Sequence, residues 1–414
     1  MAPWNPQRLR KERRLSLSQD ERQQILSKLP IAEDGWRYAD AVFEGGGIRG
    51  LAFLGALRCF SDLGIRWKNL AGSSAGALTA AFVAAGFSVD ELEQALGELN
   101  FMDFLREKSS PLILNNDPAD DLNNPIWMIS NLQLLGQLGQ YSSAPLKQWL
   151  QTFLGKRVKT FADIQARGRR LKVIVSDVSR GQMLVLPDDL KPFALDQNLH
   201  PRQILQELEI QLPPDFSIAR PDKTLFFNQA VQHFSVAEAI RLSISIPFFF
   251  QPGKLLNSTI VDGGILSNFP LWIYDVEPQI GQPIALPRHP TFGFRLLDTD
   301  AEAISESTTS STPNTAVDLF IAIMKAMHSA RDDYHLRNND QGRVINIKIN
   351  NISATQFTLS NHDKDELYAT GYESAKTFLL EEWDWQKHLA IRGFHPYVDR
   401  YASRQSTPIQ SLYR

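Results

Sequence analysis

The sequence predicts an α/β fold: a mostly parallel sheet with helices on both faces. Three observations predict it. Strand-like and helix-like patterns alternate with short links between residues 39 and 99. Glycine-rich turns stand where a predicted strand hands over to a predicted helix, at residues 45–50 and 72–76. The chain is long, 414 residues, and 43% hydrophobic, so a large core is available. A strand–helix–strand–helix order with short links implies a parallel sheet covered on both faces.

Taken in order, residues 39–44 read as a strand and 48–63 as a helix with apolar residues at helical spacing. Residues 67–72 are a second strand and 74–85 a second helix. Residues 88–99 form a third helix, with Ser88 as N-cap and Glu91 three residues on completing a capping box. Residues 105–142 are rich in Pro, Asn and Asp around an apolar piece at 126–138, and read as an insertion or lid. Helix returns at 144–154, a strand pair at 171–178 and 183–186, and an irregular stretch, a second candidate flap, at 188–232. A helix at 236–243 leads into an extended segment at 246–250, with short strands at 259–262 and 291–297. A polar loop at 298–314 precedes a long helix at 315–336, a strand at 343–349 and a closing helix at 362–382.

Length alone suggests two or three domains, but α/β folds of this size often form one unit. The expected division is a basic N-terminal extension at 1–37, one catalytic domain at 38–385 and a C-terminal tail at 386–414. Arg8, Arg10, Lys11, Arg13 and Arg14 cluster in the extension, ahead of a polar helix near 18–29. The extension reads as a solvated arm packed loosely on the body. The sharper reading is contact with an anionic membrane surface, to which each basic residue adds on the order of 1 kcal/mol. Net charge is −3 and the pI about 6.3, which gives no global case for nucleic-acid binding. The one cysteine, Cys59, sits among Ala56, Leu57 and Phe60 and reads as a packed thiol rather than a nucleophile. No stretch approaches the roughly 18 apolar residues of a membrane span, and the start of the chain lacks the apolar run of a signal peptide. The expectation is a soluble, cytoplasmic protein.

Gly45, Gly47 and Gly50 satisfy the G-x-G-x-x-G dinucleotide fingerprint, which also wants a carboxylate near the end of the second strand. That strand ends instead in Leu70-Ala71-Gly72-Ser73-Ser74. A phosphate loop fails too, because the glycines lead into no Gly-Lys-Ser/Thr. The second strand runs into Gly72-Ser73-Ser74-Ala75-Gly76, a G-x-S-x-G pentapeptide between a predicted strand and a predicted helix. In that setting the small residues permit a sharp turn that exposes the hydroxyl of Ser74 at a helix N-terminus, where amides and dipole favour developing negative charge. Acyl transfer creates an oxyanion that needs amide donors. Gly45, Gly46, Gly47 and Ile48 of the glycine loop, with Ala75, are the candidate donors. Arg49 is placed to anchor the loop or to add positive charge near a phosphate head group.

A serine nucleophile needs a base. None of the eight histidines (His200, His233, His289, His328, His335, His362, His388, His395) lies in a convincing motif, although His395 near the C-terminus would close a Ser–Asp–His order. Asp262 is better placed, because an apolar strand delivers it into Gly263 and Gly264. A carboxylate at a strand's C-terminal end faces the crevice of an α/β sheet. Partial burial there raises its pKa toward the range of a useful base.

Together these residues resemble the patatin-like phospholipase family: G-G-G-x-R/K-G at 45–50, then G-x-S-x-G at 72–76, then D-G-G at 262–264. Leu171–Asp177 in sequence (LKVIVSD) is similar to the family's central strand. Residues 237–250, with Ser243-Ile244-Ser245-Ile246-Pro247, are similar to its helix before the aspartate. Asn268-Phe269-Pro270 matches its N-x-P, and residues 357–380 its closing segment. Glu44 stands where many members carry Asp. The resemblance covers about 38–382 and implies a three-layer α/β/α sandwich and a Ser–Asp dyad without histidine. It also implies hydrolysis of fatty acyl esters of phospholipids or other acyl-lipids, with no metal or cofactor. Ser74 is then the nucleophile, Asp262 the base and residues 45–47 the oxyanion loop, with Gly72, Gly76, Gly263 and Gly264 supporting them.

An acyltransferase or a triglyceride lipase on the same dyad, a Ser–Asp–His hydrolase and a non-catalytic lipid-binding protein are the alternatives. Residues 246–250 and 126–138 are candidate acyl-chain or interface surfaces. Peripheral membrane contact and a protein activator are the expected partners beside the lipid.

Overall fold

The chain opens with two short helices, α1 (Pro6–Glu12) and α2 (Gln19–Ser27), before it enters the sheet. The computed structural model describes residues 4–105, 139–191, 200–214, 216, 223–275, 287–298, 341–350, 352 and 358–391. The apolar run Tyr38–Phe43 forms β1, and a 3-10 turn at Gly47–Leu51 leads into α3 (Ala52–Asp62). β2 (Arg66–Ser73) and α4 (Ala75–Ala85) repeat the unit, and α5 (Val89–Gly97) starts at the Ser88–Glu91 capping box. A 3-10 turn at Phe101–Leu105 and β3 (Gly139–Tyr141) flank the lid region that the sequence predicts; its apolar piece at 126–138 lies outside the described residues. Then come α6 (Ala144–Leu154), α7 (Phe161–Ala166), β4 (Arg170–Asp177) and β5 (Gln182–Leu186). The stretch 188–232, predicted irregular, contains α8 (Pro201–Glu207) and α9 (Lys223–Ala230). The signal for α8 is local: His200 and Gln203 form a capping box around Pro201. α10 (Val236–Ser243), β6 (Phe248–Phe250), β7 (Gly253–Leu255) and β8 (Ser258–Asp262) lead to the D-G-G. β9 (Thr291–Asp298), β10 (Val344–Ile349), α11 (Asn361–Thr377) and α12 (Trp385–Ile391) complete the described chain.

Eight of the ten described strands form one sheet in the order β10-β9-β1-β2-β4-β8-β7, with β5 also on β4, and β3 pairs with β6 in a separate two-stranded sheet. β10, β9, β1, β2 and β4 are parallel; β5 and β8 run antiparallel to β4. A strand has two edges, and the register assigns them. β5 pairs with residues 173–177 of β4, so β2 and β8, which overlap that range, share the other edge. There they follow one another: Ser73 stands opposite Ile174 and Asp262 opposite Val175. Adjacent rungs of β4 therefore bring Ser74 and Asp262 together, across 188 residues of sequence.

The central sheet is flanked by helices. On one face Phe43 and Phe294 stack at 4.7 Å, and Phe60 of α3 meets Phe292 edge-on at 5.0 Å. α11 crosses α3 with little room: a Cβ at Gly55 would strike the Tyr368 carbonyl. On the other face Val42, Ala71 and Ile174 pack against Phe269, Leu271 and Ile273. The long helix predicted at 315–336 lies outside the described residues. Cys59 is fully buried, and that burial pushes its thiol far up, as a packed cysteine requires.

The N-terminal arm departs from its sequence reading. Leu9, Leu15 and Ile25 are buried in the main core. Trp4 Nε1 donates to Asp365 at 2.8 Å, Arg10 pairs with Asp62 at 2.7 Å, and Glu21 with Lys376 at 2.8 Å. The arm is packed, not loose. Its basic cluster is also partly neutralised: Arg8 pairs with Glu12, Arg10 with Asp62 and Arg13 with Glu366. Asp62 ends α3, about 15 Å along the helix from the glycine loop that begins it. At the other terminus, residues 386–391 belong to α12, with His388 buried against Trp383.

Candidate active site

β2 ends at Ser73, and Ser74 adopts φ 51° and ψ −125° before α4 begins at Ala75. A positive φ at a non-glycine residue stores roughly 1–3 kcal/mol of strain. The flanking glycines permit the turn: a Cβ at Gly72 would collide with the backbone of Gly76, and one at Gly76 with the carbonyls of Phe43 and Glu44. The turn delivers the Ser74 hydroxyl to Asp262, with Oγ donating to Oδ2 at 2.7 Å. The Gly264 amide donates to Oδ1 of the same carboxylate at 2.7 Å. Gly263 lies so close to Ile174 and Ser73 that a Cβ there would meet the Ile174 carbonyl and, at 2.6 Å, the Ser73 hydroxyl. Burial pushes the Asp262 carboxyl up to about 7, against the opposing pull of the Ser74 and Gly264 hydrogen bonds.

The glycine loop lies beside this pair, but its members differ in what their amides can do. The Gly45 amide already donates to the Asn268 carbonyl at 3.0 Å, and Asn268 Nδ2 donates back to the Gly45 carbonyl at 3.0 Å. Gly45 is therefore a packing residue, and its place among the candidate oxyanion donors is corrected. Gly46 packs against Leu296. Gly47, at φ 56°, and Ile48 open the 3-10 turn, so their amides have no acceptor within it. Ala75 is the first residue of α4 and its amide is free of the helix for the same reason. Gly47, Ile48, Ser74 and Ala75 all line one cavity. Arg49 is half-buried and turns its Nε toward the Gly46 carbonyl at 3.4 Å, on the anchoring side of its two predicted uses.

That cavity has a volume of about 40 Å³ and is walled by Leu78, Phe101, Phe104, Leu146, Ile246 and Phe250. It has room for about three water molecules. Apart from Ser74, the side chains that line it are apolar, which suits hydrocarbon better than a charged head group.

Residues outside the three motifs also fix the site. Glu44 accepts the Leu296 amide at 2.6 Å and the Asn268 side chain at 3.3 Å, tying β1, β9 and the segment after the D-G-G into one floor. A carboxylate just before the glycines was the available signal. Ser243, which opens the Ser243–Pro247 stretch of the family resemblance without a role assigned to it there, accepts the Ser74 amide at 2.9 Å. Among the described histidines, His200 caps α8, His233 packs on Phe216, His289 pairs with Asp40 and His388 packs on Trp383. None of the described histidines hydrogen-bonds to Ser74 or Asp262. His328, His335 and His395 lie outside the described residues.

A family model described as patatin-like phospholipase matches residues 41–274, a span that contains the glycine loop, the serine turn and the aspartate. The chain belongs to the patatin-like phospholipase family. As a patatin-like phospholipase it is related to an uncharacterized protein of Bacillus subtilis, YqhO. The two are 30% identical over 353 residues, which cover 84% of this chain and 100% of YqhO. The uncharacterized protein R571 of Acanthamoeba polyphaga mimivirus is 22% identical over 81% of this chain and 92% of its own. Among solved structures, VipD from Legionella pneumophila is similar at 15% identity and a TM-score of 0.44, over 86% of this chain and 70% of VipD.

Proposed function

We propose that this patatin-like phospholipase is a serine esterase of phospholipase A or lysophospholipase type, with Ser74 as nucleophile and Asp262 as base. The observation that carries the reading is the 2.7 Å hydrogen bond from Ser74 Oγ to Asp262, a carboxylate held on its other oxygen by the Gly264 amide. Asp262 takes the Ser74 proton as Oγ attacks the ester carbonyl carbon. The resulting oxyanion meets the amides of Gly47, Ile48 and Ala75 at the positive end of α4. The proton passes from Asp262 to the departing alcohol or lysolipid. Water, deprotonated by Asp262, then releases the fatty acid and restores Ser74. A base titrating near 7 is matched to neutral pH, where it is partly ionised and its conjugate acid is still a competent donor.

The apolar side chains around Ser74 support a place for the first few carbons of an acyl chain next to the ester, with the head group on the solvent side. The substrate is then an acyl-lipid presented at a bilayer surface through peripheral contact. No helix among the described residues is long and apolar enough to cross a membrane. The test is free fatty acid released from mixed phospholipid vesicles by the native protein, Ser74→Ala and Asp262→Asn. Release by the native protein that both substitutions abolish supports the dyad; release retained by Ser74→Ala contradicts it.

A further inference from the structure

We propose that Ser243 is a positioning residue, and that the end of α10 is a clamp holding both halves of the Ser74–Asp262 pair. This rests on the dyad reading above.

The Ser243 side chain is fully buried and its hydroxyl is used in both directions. It accepts the Ser74 amide at 2.9 Å and donates to the Ile174 carbonyl at 2.6 Å. Ile174 is the β4 residue opposite Ser73, and its neighbour Val175 is opposite Asp262. Two residues further along the clamp, the Ser245 carbonyl accepts the Asp262 amide at 2.9 Å. One three-residue segment therefore fixes the backbone of the nucleophile and the backbone of the base.

The segment is itself held rigidly. Glu238 grips Arg241 with both oxygens, at 2.9 and 2.5 Å, and also pairs with Lys147 at 3.0 Å. Arg241 reaches across to Ser143 at 2.9 Å, and the Val236 amide bonds the Lys159 carbonyl at 3.0 Å. A strained turn persists only where its surroundings over-determine it. At Ser74 the helix dipole and the glycines allow the turn, but the Ser243 hydroxyl is the side chain that meets its amide. Without it, Ser74 is free to rotate toward an ordinary φ and draw Oγ away from Asp262. Ile244 of this segment and Ile246 just beyond it line the apolar cavity, so the clamp joins the cavity wall to the reacting pair.

The experiment measures the second-order rate at which a fluorophosphonate modifies Ser74, with the thermal midpoint recorded for each variant. Ser243→Ala is expected to slow modification about 10- to 100-fold, the loss expected of a displacement of roughly 1 Å at a reacting atom. Ser243→Thr, which keeps the hydroxyl, is expected to restore most of that rate. Arg58→Lys, a change in a buried ion pair away from the site, is expected to lower the midpoint while leaving the rate unchanged. If Ser243→Ala does not fold, Ser243→Cys decides by the same rate, because a thiol is a weak acceptor. Modification of a folded Ser243→Ala, or of Ser243→Cys in its place, at the native rate overturns the clamp and leaves the dyad standing. Failure of the native protein to be modified at all overturns the dyad and the clamp with it.

Discussion

At the end of the sheet where β1 and β2 stop, a serine is held at φ 51°, a carboxylate is buried with its pKa raised, and residues that open helical turns line an apolar cavity. Toward the other end several buried or half-buried polar groups are paired, although Thr291 Oγ1 and Trp383 Nε1 are not. Asp40 takes the Asn69 amide at 2.9 Å and His289 at 2.8 Å, and Tyr274 donates to the Leu70 carbonyl at 2.6 Å. Asp62 gathers Arg10 at 2.7 Å and Tyr372 at 3.0 Å through its side chain, and Arg22 at 2.5 Å through its carbonyl. A strained serine, a buried carboxylate and helix-start amides gather at one end, and their cost is offset by ordinary packing and paired charges elsewhere. Substitutions at the two ends should therefore separate activity from stability.

The largest stability effect is expected away from the site. Arg58 bonds Glu93 through two nitrogens at 2.8 and 2.7 Å, and Tyr368 joins the same carboxylate at 2.5 Å. Arg58→Ala takes the arginine from a buried Glu93, which costs about 3–5 kcal/mol in urea unfolding. Turnover per folded molecule should stay unchanged; a matching loss of turnover would join the two ends that the comparison keeps apart.

Asp262→Asn should act in the opposite sense. The unfolded carboxyl ionises near 4 and the folded one near 7, so folding the ionised chain costs stability that grows across that interval. Asparagine carries no such cost. The variant should gain on the native protein as pH rises from 4 to 7, by up to a few kcal/mol, and hold that gain above 7. Unfolding midpoints at pH 4.5 and pH 8 check it, and an equal offset at both would show that the burial is not felt by the charge.

Glu44→Ala removes the acceptor of the Leu296 amide and of Asn268. It should cost about 1–3 kcal/mol and, unlike Arg58→Ala, should also lower turnover, because the glycine loop rests on it. Arg10→Ala breaks a partly exposed pair and should cost no more than about 1 kcal/mol, with no change in turnover. A turnover loss there would show that the arm acts on the site.

What was legible in the sequence was what is written locally. The turn at Ser74 shows because its strand, its glycines and its helix are neighbours, and Asp262 shows because a strand ends in two glycines. The capping box at Ser88 reads equally well, since it is three residues wide. What failed depends on contacts that no window contains. The arm reads as solvated because several of its partners, Asp365, Glu366 and Lys376, lie more than 350 residues away. Gly45 looked like a donor because nothing beside it announces that Asn268 takes its amide. Ser243 stands in a stretch that resembles the family, but its role depends on Ser74 and Ile174, which lie 169 and 69 residues away. The helices within 188–232 lack a strong apolar period, and only His200-Pro201 and Gln203 mark one of them locally.

The most direct measurement is the pH dependence of kcat/KM for a soluble short-chain ester, in the native protein and in Asp262→Asn. With Asp262 as the base, the rate should rise about tenfold per pH unit at low pH and level off above a midpoint near 7, and that inflection should vanish in Asp262→Asn along with nearly all activity. A rate independent of pH across this range, or an inflection that survives in an active Asp262→Asn, would assign the proton transfer to another group and contradict the Ser74–Asp262 dyad.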